Sequence, residues 1–223
     1  ATYSPMVDIS RDARWGRVCE GYGEDTYLSS VCTKAMVEGY QGDDLSADDT
    51  IAACVKHFAL YGAPYDGRDY NNVDMSERMM RNDYLPPYKA AVDAKVAMIM
   101  TSFNTINGVP ATINKHTNID ILRNEWGFDG LVMSDWDSMK ADPENPIIPR
   151  SGDVQKAHMA QCDLVSPGRP DQREALKKGL ETGVVKREDL KRSAVRILKM
   201  IRSNTVLTKK NGRQIPNLLP AEN

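Results

Sequence analysis

Short apolar runs alternate along this chain with segments of helical period, and that alternation confines it to parallel βαβ units. The clearest unit ends in Leu131-Val-Met-Ser-Asp-Trp136. Asn118 to Trp126 has the composition of a helix, and Gly127 is a natural C-terminal stop. Phe128-Asp129-Gly130 then turns the chain into Leu131-Val132-Met133, which reads as a buried strand presenting Asp135 beside the aromatic plate of Trp136. Functional side chains of parallel α/β folds gather past the C-terminal ends of strands. An aspartate there, next to a tryptophan face, suits a site that binds sugar rings and attacks an anomeric carbon. An Asp capping the next helix, with the Trp in the core, explains the hexapeptide equally well.

Further strands are expected at Ser4 to Ile9, Ile51 to Phe58, Val96 to Thr101 and Asp163 to Val165. Leu28, Val31, Cys32, Ala35 and Met36 recur at helical spacing and end at Gly39. Asp74 with Glu77 predicts a capped helix running to Tyr84 and interrupted by Pro86-Pro87; Asp171 with Glu174 predicts another. Leu190, Ala194, Val195, Ile197, Leu198 and Ile201 form an amphipathic stripe on a last helix. From Thr208 onward the composition is that of an exposed tail. About five strands are visible where a closed (β/α)8 barrel needs eight. The fold is therefore an incomplete barrel or an open doubly wound sheet. Gly21-Tyr-Gly23 lacks a third glycine and no phosphate loop follows any strand, which disfavours a nucleotide fold.

The 223 residues are enough for a sizeable core, and a net charge of -2 does not advertise the chain to nucleic acid or anionic membrane. No run is long enough to span a bilayer and no signal-peptide pattern opens the chain. Ala1 stands directly before a strand-like segment, as in an excised piece. Cys19, Cys32, Cys54 and Cys162 form no C-x-x-C pair and read as reduced, structural residues, and the three histidines have no metal-ligand spacing. The acidic stretch Gly42 to Thr50 lacks calcium-loop order and reads as a solvated turn.

Polar groups recur where the strands end. Arg11, Arg14 and Arg17 follow the first, Lys56 and His57 end the second with Arg68 and Asp69 in the loop beyond, and Phe103 and Asn104 end the third. Cations around Asp135 are expected to lower its pKa and hold it ionised. Each element has a structural alternative. The arginines could pair with Glu20, Glu24 and Asp25 on the surface, Lys56-His57 could be a local hydrogen-bonding pair, and Trp15 suits the core. Four such strand ends in register are harder to dismiss than one.

The segments Ser4-Pro-Met-Val-Asp-Ile-Ser-Arg-Asp-Ala-Arg-Trp-Gly-Arg17, Glu20-Gly-Tyr-Gly-Glu-Asp-Thr-Tyr27, Val55-Lys-His-Phe-Ala-Leu-Tyr-Gly62 and Trp126-Gly-Phe-Asp-Gly-Leu-Val-Met-Ser-Asp-Trp136 closely resemble family-3 glycoside hydrolases, mostly β-glucosidases and β-xylosidases. The resemblance extends from about residue 3 to residue 205. It implies an incomplete TIM-like barrel over 1–205, with 206–223 as tail or linker. Asp135 would be the nucleophile, Arg17, Lys56 and His57 would hold sugar hydroxyls, and Trp136 would be an aromatic beside the nucleophile. Arg68 matches loosely a further sugar-contacting residue. The implied mechanism is double displacement with retention, needing neither metal nor organic cofactor.

Three departures accompany the resemblance. The family's acid/base glutamate lies on a separate α/β domain that is expected elsewhere in the parent protein or on another chain. Early barrel strands, one carrying a sugar-binding aspartate, would precede Ala1. Many relatives have tyrosine where Phe103 stands. The branch that uses a loop histidine as acid is rejected, because Ala59-Leu-Tyr-Gly62 replaces its motif. Glu20, Glu24 or Asp69 could substitute as the acid. The chain alone is expected not to complete turnover at a normal rate. The expected partner is a β-glucoside or oligosaccharide. A non-catalytic carbohydrate-binding piece is the rival reading. Nucleic-acid binding by Lys177 to Arg213 is a third, disfavoured because those charges fall on polar helix faces.

Overall fold

A computed structural model describes residues 1–139 and 153–203. In chain order its main elements are α1 (Thr26–Gln41), β1 (Cys54–Phe58), α2 (Glu77–Met79, continued by a wide π-type turn Met80–Tyr84), α3 (Pro86–Asp93) and β2 (Met98–Thr101). A short hairpin of β3 (Thr105–Ile106) and β4 (Val109–Pro110) follows, then a π-type helix His116–Glu125, β5 (Leu131–Met133), α4 (Val154–Met159), α5 (Pro170–Glu181) and α6 (Arg187–Ser203).

β1, β2 and β5 form a parallel ladder in that order. The segment around Met6 extends it beyond β1, through Val7 N–H to Lys56 O (2.8 Å) and Cys54 N–H to Ser4 O (2.9 Å). Leu164 extends it beyond β5, where Ser134 N–H reaches Leu164 O at 2.9 Å. Five parallel segments thus lie side by side in sequence order. A doubly wound sheet reverses its order at a switch point, whereas a barrel does not. The arc is therefore an incomplete (β/α)8 barrel, and the open-sheet alternative falls.

Alternation along the ladder separates two apolar layers. Val55, Ile99 and Val132 join the large core beneath the helices, with Phe58, Tyr88 and Leu122. Cys54, Met98, Met100, Leu131 and Met133 form a second cluster on the opposite face, against which Ile197 and Met200 of α6 pack. The close fit has a local cause at Gly62, where a Cβ would stand 2.2 Å from the Ile9 carbonyl oxygen.

Two helix faces differ from what apolar spacing suggests. α1 runs on to Gln41 and is capped by Gly42 rather than ending at Gly39, and it buries Ser29, Thr33, Val37 and Gln41. Tyr27, at 79 %, Leu28 and Val31 are exposed. Gln41 explains part of this orientation. Its Nε2 donates to Lys95 O (2.9 Å), and its Oε1 accepts from Ala97 N (2.8 Å) and Ala53 N (3.2 Å), tying the helix end to the starts of β1 and β2. In α6 the fully buried residues are Ser193 and Arg196, while Ile201 stays exposed. Both polar side chains are drawn inward by Asp163.

Caps differ as well. Ser76, not Asp74, caps α2 through Met79 N, and Pro86-Pro87 opens α3 rather than only ending a helix. Arg169 precedes α5, Pro170 starts it, and Gln172 rather than Glu174 accepts the Arg169 N–H. Gly127 does end its helix, with φ +69°. Residues 206–223, read as a tail, lie outside the described residues. No helix among the described residues is long and apolar enough to cross a membrane.

Candidate active site

All five strand segments point their C-terminal ends to one edge, and that edge collects the polar residues. Asp135 follows β5 by two residues. Its Oδ1 accepts from Trp136 N–H (2.6 Å), while Oδ2 is buried with no hydrogen-bond donor. His57, near the end of β1 and fully buried, places Nε2 3.4 Å from that Oδ2. The turn after Asp135 is held from outside: Arg169 forks onto Asp137 at 2.6–2.9 Å, and Asp137 N–H donates to Ser166 O.

The charge balance at Asp135 corrects the sequence expectation. Burial, the largest influence, raises its pKa; His57, the Trp136 N–H, Arg17 and Lys56 pull it back only in part. Its side chain keeps 13 % of its exposure, so the carboxylate is mostly desolvated. The cations surround it as expected, but desolvation wins.

Arg17 lies over the Tyr61 ring, 5.5 Å from its centroid, and forks onto Glu20 through Nε (2.7 Å) and Nη2 (2.9 Å). That pair raises Arg17 and lowers Glu20. Lys56, half-buried in β1, contributes its charge to both Glu20 and Asp135. Arg17, Lys56, His57 and Asp135 are therefore brought into one electrostatic cluster. Trp136 stands beside Asp135 in sequence and is 65 % exposed, an open aromatic face rather than a core plug.

Arg68 is not joined to this cluster. It is exposed in the loop beyond β1, its backbone N–H closes a turn on Tyr65 O, and its side chain makes no ion pair among the described residues. Arg11 pairs with Asp83 (3.1 Å) and Arg14 with Asp12 (2.7 Å), as surface ion pairs. Asn104 braces the backbone, donating to Ala59 O and Thr105 O. Trp15 is buried and donates its indole N–H to Asp69 (2.9 Å). With Tyr61, Tyr70 and Phe103 it makes an aromatic wall, in which Phe103 meets Tyr70 edge-on at 4.9 Å.

Sequence reasoning missed three residues here. Asp8, Tyr61 and Tyr88 are all buried around His57. Asp8 Oδ2 accepts from His57 N (2.9 Å) and faces its Nδ1 at 2.8 Å; the Tyr61 ring meets the imidazole edge-on at 5.1 Å. Asp8 did carry a signal: it is the one charged residue inside the apolar run Met6 to Ile9. The four cysteines are free thiols, and burial pushes Cys54 up to about 12. Among the described residues no cluster of His, Cys, Asp and Glu is arranged to hold a metal ion.

A family model described as "Glycosyl hydrolase family 3 N terminal domain" matches residues 1–200. Curated relatives include a periplasmic beta-glucosidase of Salmonella typhimurium, 47% identical over 154 residues, covering 66% of this chain and 20% of that protein. A beta-xylosidase of Formosa agariphila is 44% identical over 137 residues, covering 60% of this chain and 19% of that protein. Among solved structures, the beta-glucosidase of Listeria innocua in complex with gluconolactone superposes with a TM-score of 0.87 at 41% identity, over 97% of this chain and 30% of that one. The chain thus spans about a fifth of the length of these two curated relatives.

Proposed function

The chain belongs to glycosyl hydrolase family 3, and from that premise we propose that it is the nucleophile-bearing barrel part of a retaining exo-β-glucosidase. The observation that carries the reading is the Asp135 carboxylate. Its Oδ2 is buried and receives no hydrogen bond, at the C-terminal edge of a parallel barrel arc and against His57. A carboxylate fully satisfied by donors is a poor nucleophile; this one keeps an oxygen that faces only the His57 ring, in a desolvated place. Asp135 attacks the anomeric carbon through an oxocarbenium-like transition state and forms a glycosyl-enzyme ester, which water then cleaves. Lys56 and the outward N–H groups of Arg17 hold hydroxyls of the sugar, and Trp136 offers a face for stacking a ring.

The second carboxyl, roughly 5–5.5 Å from the nucleophile in retaining enzymes, must protonate the leaving oxygen. The in-chain candidates fit poorly. Glu20 is held low by Arg17, the wrong direction for a proton donor, and Asp69 already accepts from Trp15 and from its neighbour's Tyr70 N–H. Glu24 is exposed with no bond into the cluster. The acid is therefore assigned to a part of the enzyme beyond this barrel portion, which we place at 1–205 with 206–223 as tail or linker. A β-xylosidase is the second reading, supported by the 44% identity to the Formosa agariphila protein.

Mass spectrometry with 2-fluoro-glucoside and 2-fluoro-xyloside tests this. One glycosyl unit mapped to Asp135, and lost in Asp135→Asn, is expected with the glucoside. Faster labelling by the xyloside would select the second reading. Binding without labelling by either would leave a carbohydrate-binding role in place of catalysis.

A further inference from the structure

We propose that Asp8, backed by Tyr88, is the positioning residue for this reaction: it clamps His57 by Nδ1 so that Nε2 alone faces Asp135. The inference rests on the reading of Asp135 as the nucleophile. Asp8 lies on the first strand segment, fully buried, 49 positions from His57. One of its oxygens takes both the His57 backbone N–H (2.9 Å) and the ring Nδ1 (2.8 Å). The other takes Tyr88 from α3 at 2.8 Å, whose hydroxyl also lies 2.6 Å from the His57 carbonyl oxygen. The histidine is thus held at its backbone N–H and its ring by Asp8, while the Tyr88 hydroxyl sits between Asp8 and the His57 carbonyl with one proton for the two acceptors.

The clamp has a protonation consequence. A carboxylate oxygen facing Nδ1 requires a proton on that nitrogen. A neutral ring would then aim the bare Nε2 lone pair at Asp135 Oδ2, two acceptors 3.4 Å apart. One further proton resolves the repulsion, on Nε2 or on Asp135. The Asp8 carboxylate behind the ring draws that shared proton toward Nε2. Asp135 is then left ionised and ready to attack, despite the burial that favours its neutral form. The other charged or titratable groups around the ring are Lys56 on its own strand, Arg17 and Glu20 from the first loop, and the Tyr61 phenol. Arg17 and Glu20 neutralise each other, so Asp8 is the uncompensated charge nearest the imidazole.

The experiment is imidazole 15N NMR on the full-length enzyme, with the His57 signals assigned by their loss in His57→Gln, joined to pH profiles of Asp8→Asn. Expected is an Nδ1 that carries its proton at neutral pH, as the bond to Asp8 requires. In Asp8→Asn the proton shifts toward Asp135. The acidic limb of kcat/KM then moves to higher pH, and kcat/KM at neutral pH falls about 10–100-fold, the scale on which outer partners that orient a metal-bound histidine act. A bare Nδ1 in the wild-type protein overturns the proposal. So does an Asp8→Asn enzyme that loses activity and thermal stability with its acidic limb unmoved, since a merely structural role predicts that. Failure of the nucleophile assignment shows differently, as absence of fluoroglucoside labelling at Asp135 in the wild-type enzyme whatever the ring nitrogens report.

Discussion

Arg17 and Glu20 face each other as a two-pronged ion pair, at 2.7 and 2.9 Å, on the rim of the Asp135 cluster. The fork uses Nε and one Nη2 proton, leaving the Nη1 edge for a ligand. Glu20 therefore aims Arg17 rather than merely neutralising it.

Loss of that aim should appear in binding before chemistry. If Arg17 clamps a hydroxyl on a non-reacting part of the sugar, as proposed, Glu20→Ala is expected to raise KM about tenfold with kcat changed much less, because such a clamp acts on ground and transition state alike. Both side chains are partly exposed, so the pair adds little to fold stability and the melting temperature should barely move. Steady-state kinetics with an aryl glucoside measures the split; an equal fall in kcat at unchanged KM contradicts it.

Asp135 should trade stability for reactivity. Burial raises its pKa above the unfolded value. A carboxyl with a raised folded pKa favours folding while protonated, below the unfolded pKa, and loses that benefit as pH rises through the folded pKa. At neutral pH its charge therefore opposes folding. Asp135→Asn is expected to melt a few degrees higher than wild type at pH 7, with the gap closing as pH falls through the carboxylate range. Calorimetry of both proteins across that range decides, and a variant less stable at neutral pH is the contrary result.

Asp163 is expected to be among the costliest single changes. It starts the fifth strand segment, buried between Arg123 (2.8 Å) and Arg196 (3.1 Å), and also accepts from Ser193 and from Val132 N. Burial already pulls Arg123 down to about 10. Asp163→Ala strands the buried Arg123 guanidinium and leaves Arg196 only Asp129 and Gln161, at a cost of about 3–5 kcal/mol. Urea unfolding of the two proteins reads this directly.

Thr33 offers the opposite sign. Its hydroxyl is buried in α1 without a hydrogen-bond partner. Thr33→Val keeps the shape and removes an unsatisfied polar atom, so a gain of about 1 kcal/mol is expected. A loss in denaturant unfolding would show that the hydroxyl is satisfied in solution.

Much of the polar cluster was legible in sequence because its residues sit at strand ends, and strand ends are marked by local pattern. Leu131 to Met133 forms the strand its apolar run predicts, and Asp135 emerges from it at the expected edge. Lys56 and His57 likewise come from a run whose strand character is plain. Arg68 lies apart from the cluster because loop direction depends on packing that no period records. Asp8 was passed over because a charged residue inside a strand acquires its meaning from a partner 49 positions away.

By itself the sequence determined the three strands of the main ladder, their alternation with helices, and which side chains stand at their ends, because these follow from short-range periodicity and turn chemistry; the outer segments at Met6 and Leu164 form only single bridges, and the β3–β4 hairpin left no such signal. Only the tertiary structure decided that the five strand segments run side by side without reversal, and that α1 turns Ser29, Thr33 and Gln41 inward while Tyr27 and Val31 face out. It also decided the sign of the shift at Asp135. Counting nearby cations in a sequence predicts a lowered carboxyl; desolvation is a property of the closed surroundings, and in those surroundings it outweighs them.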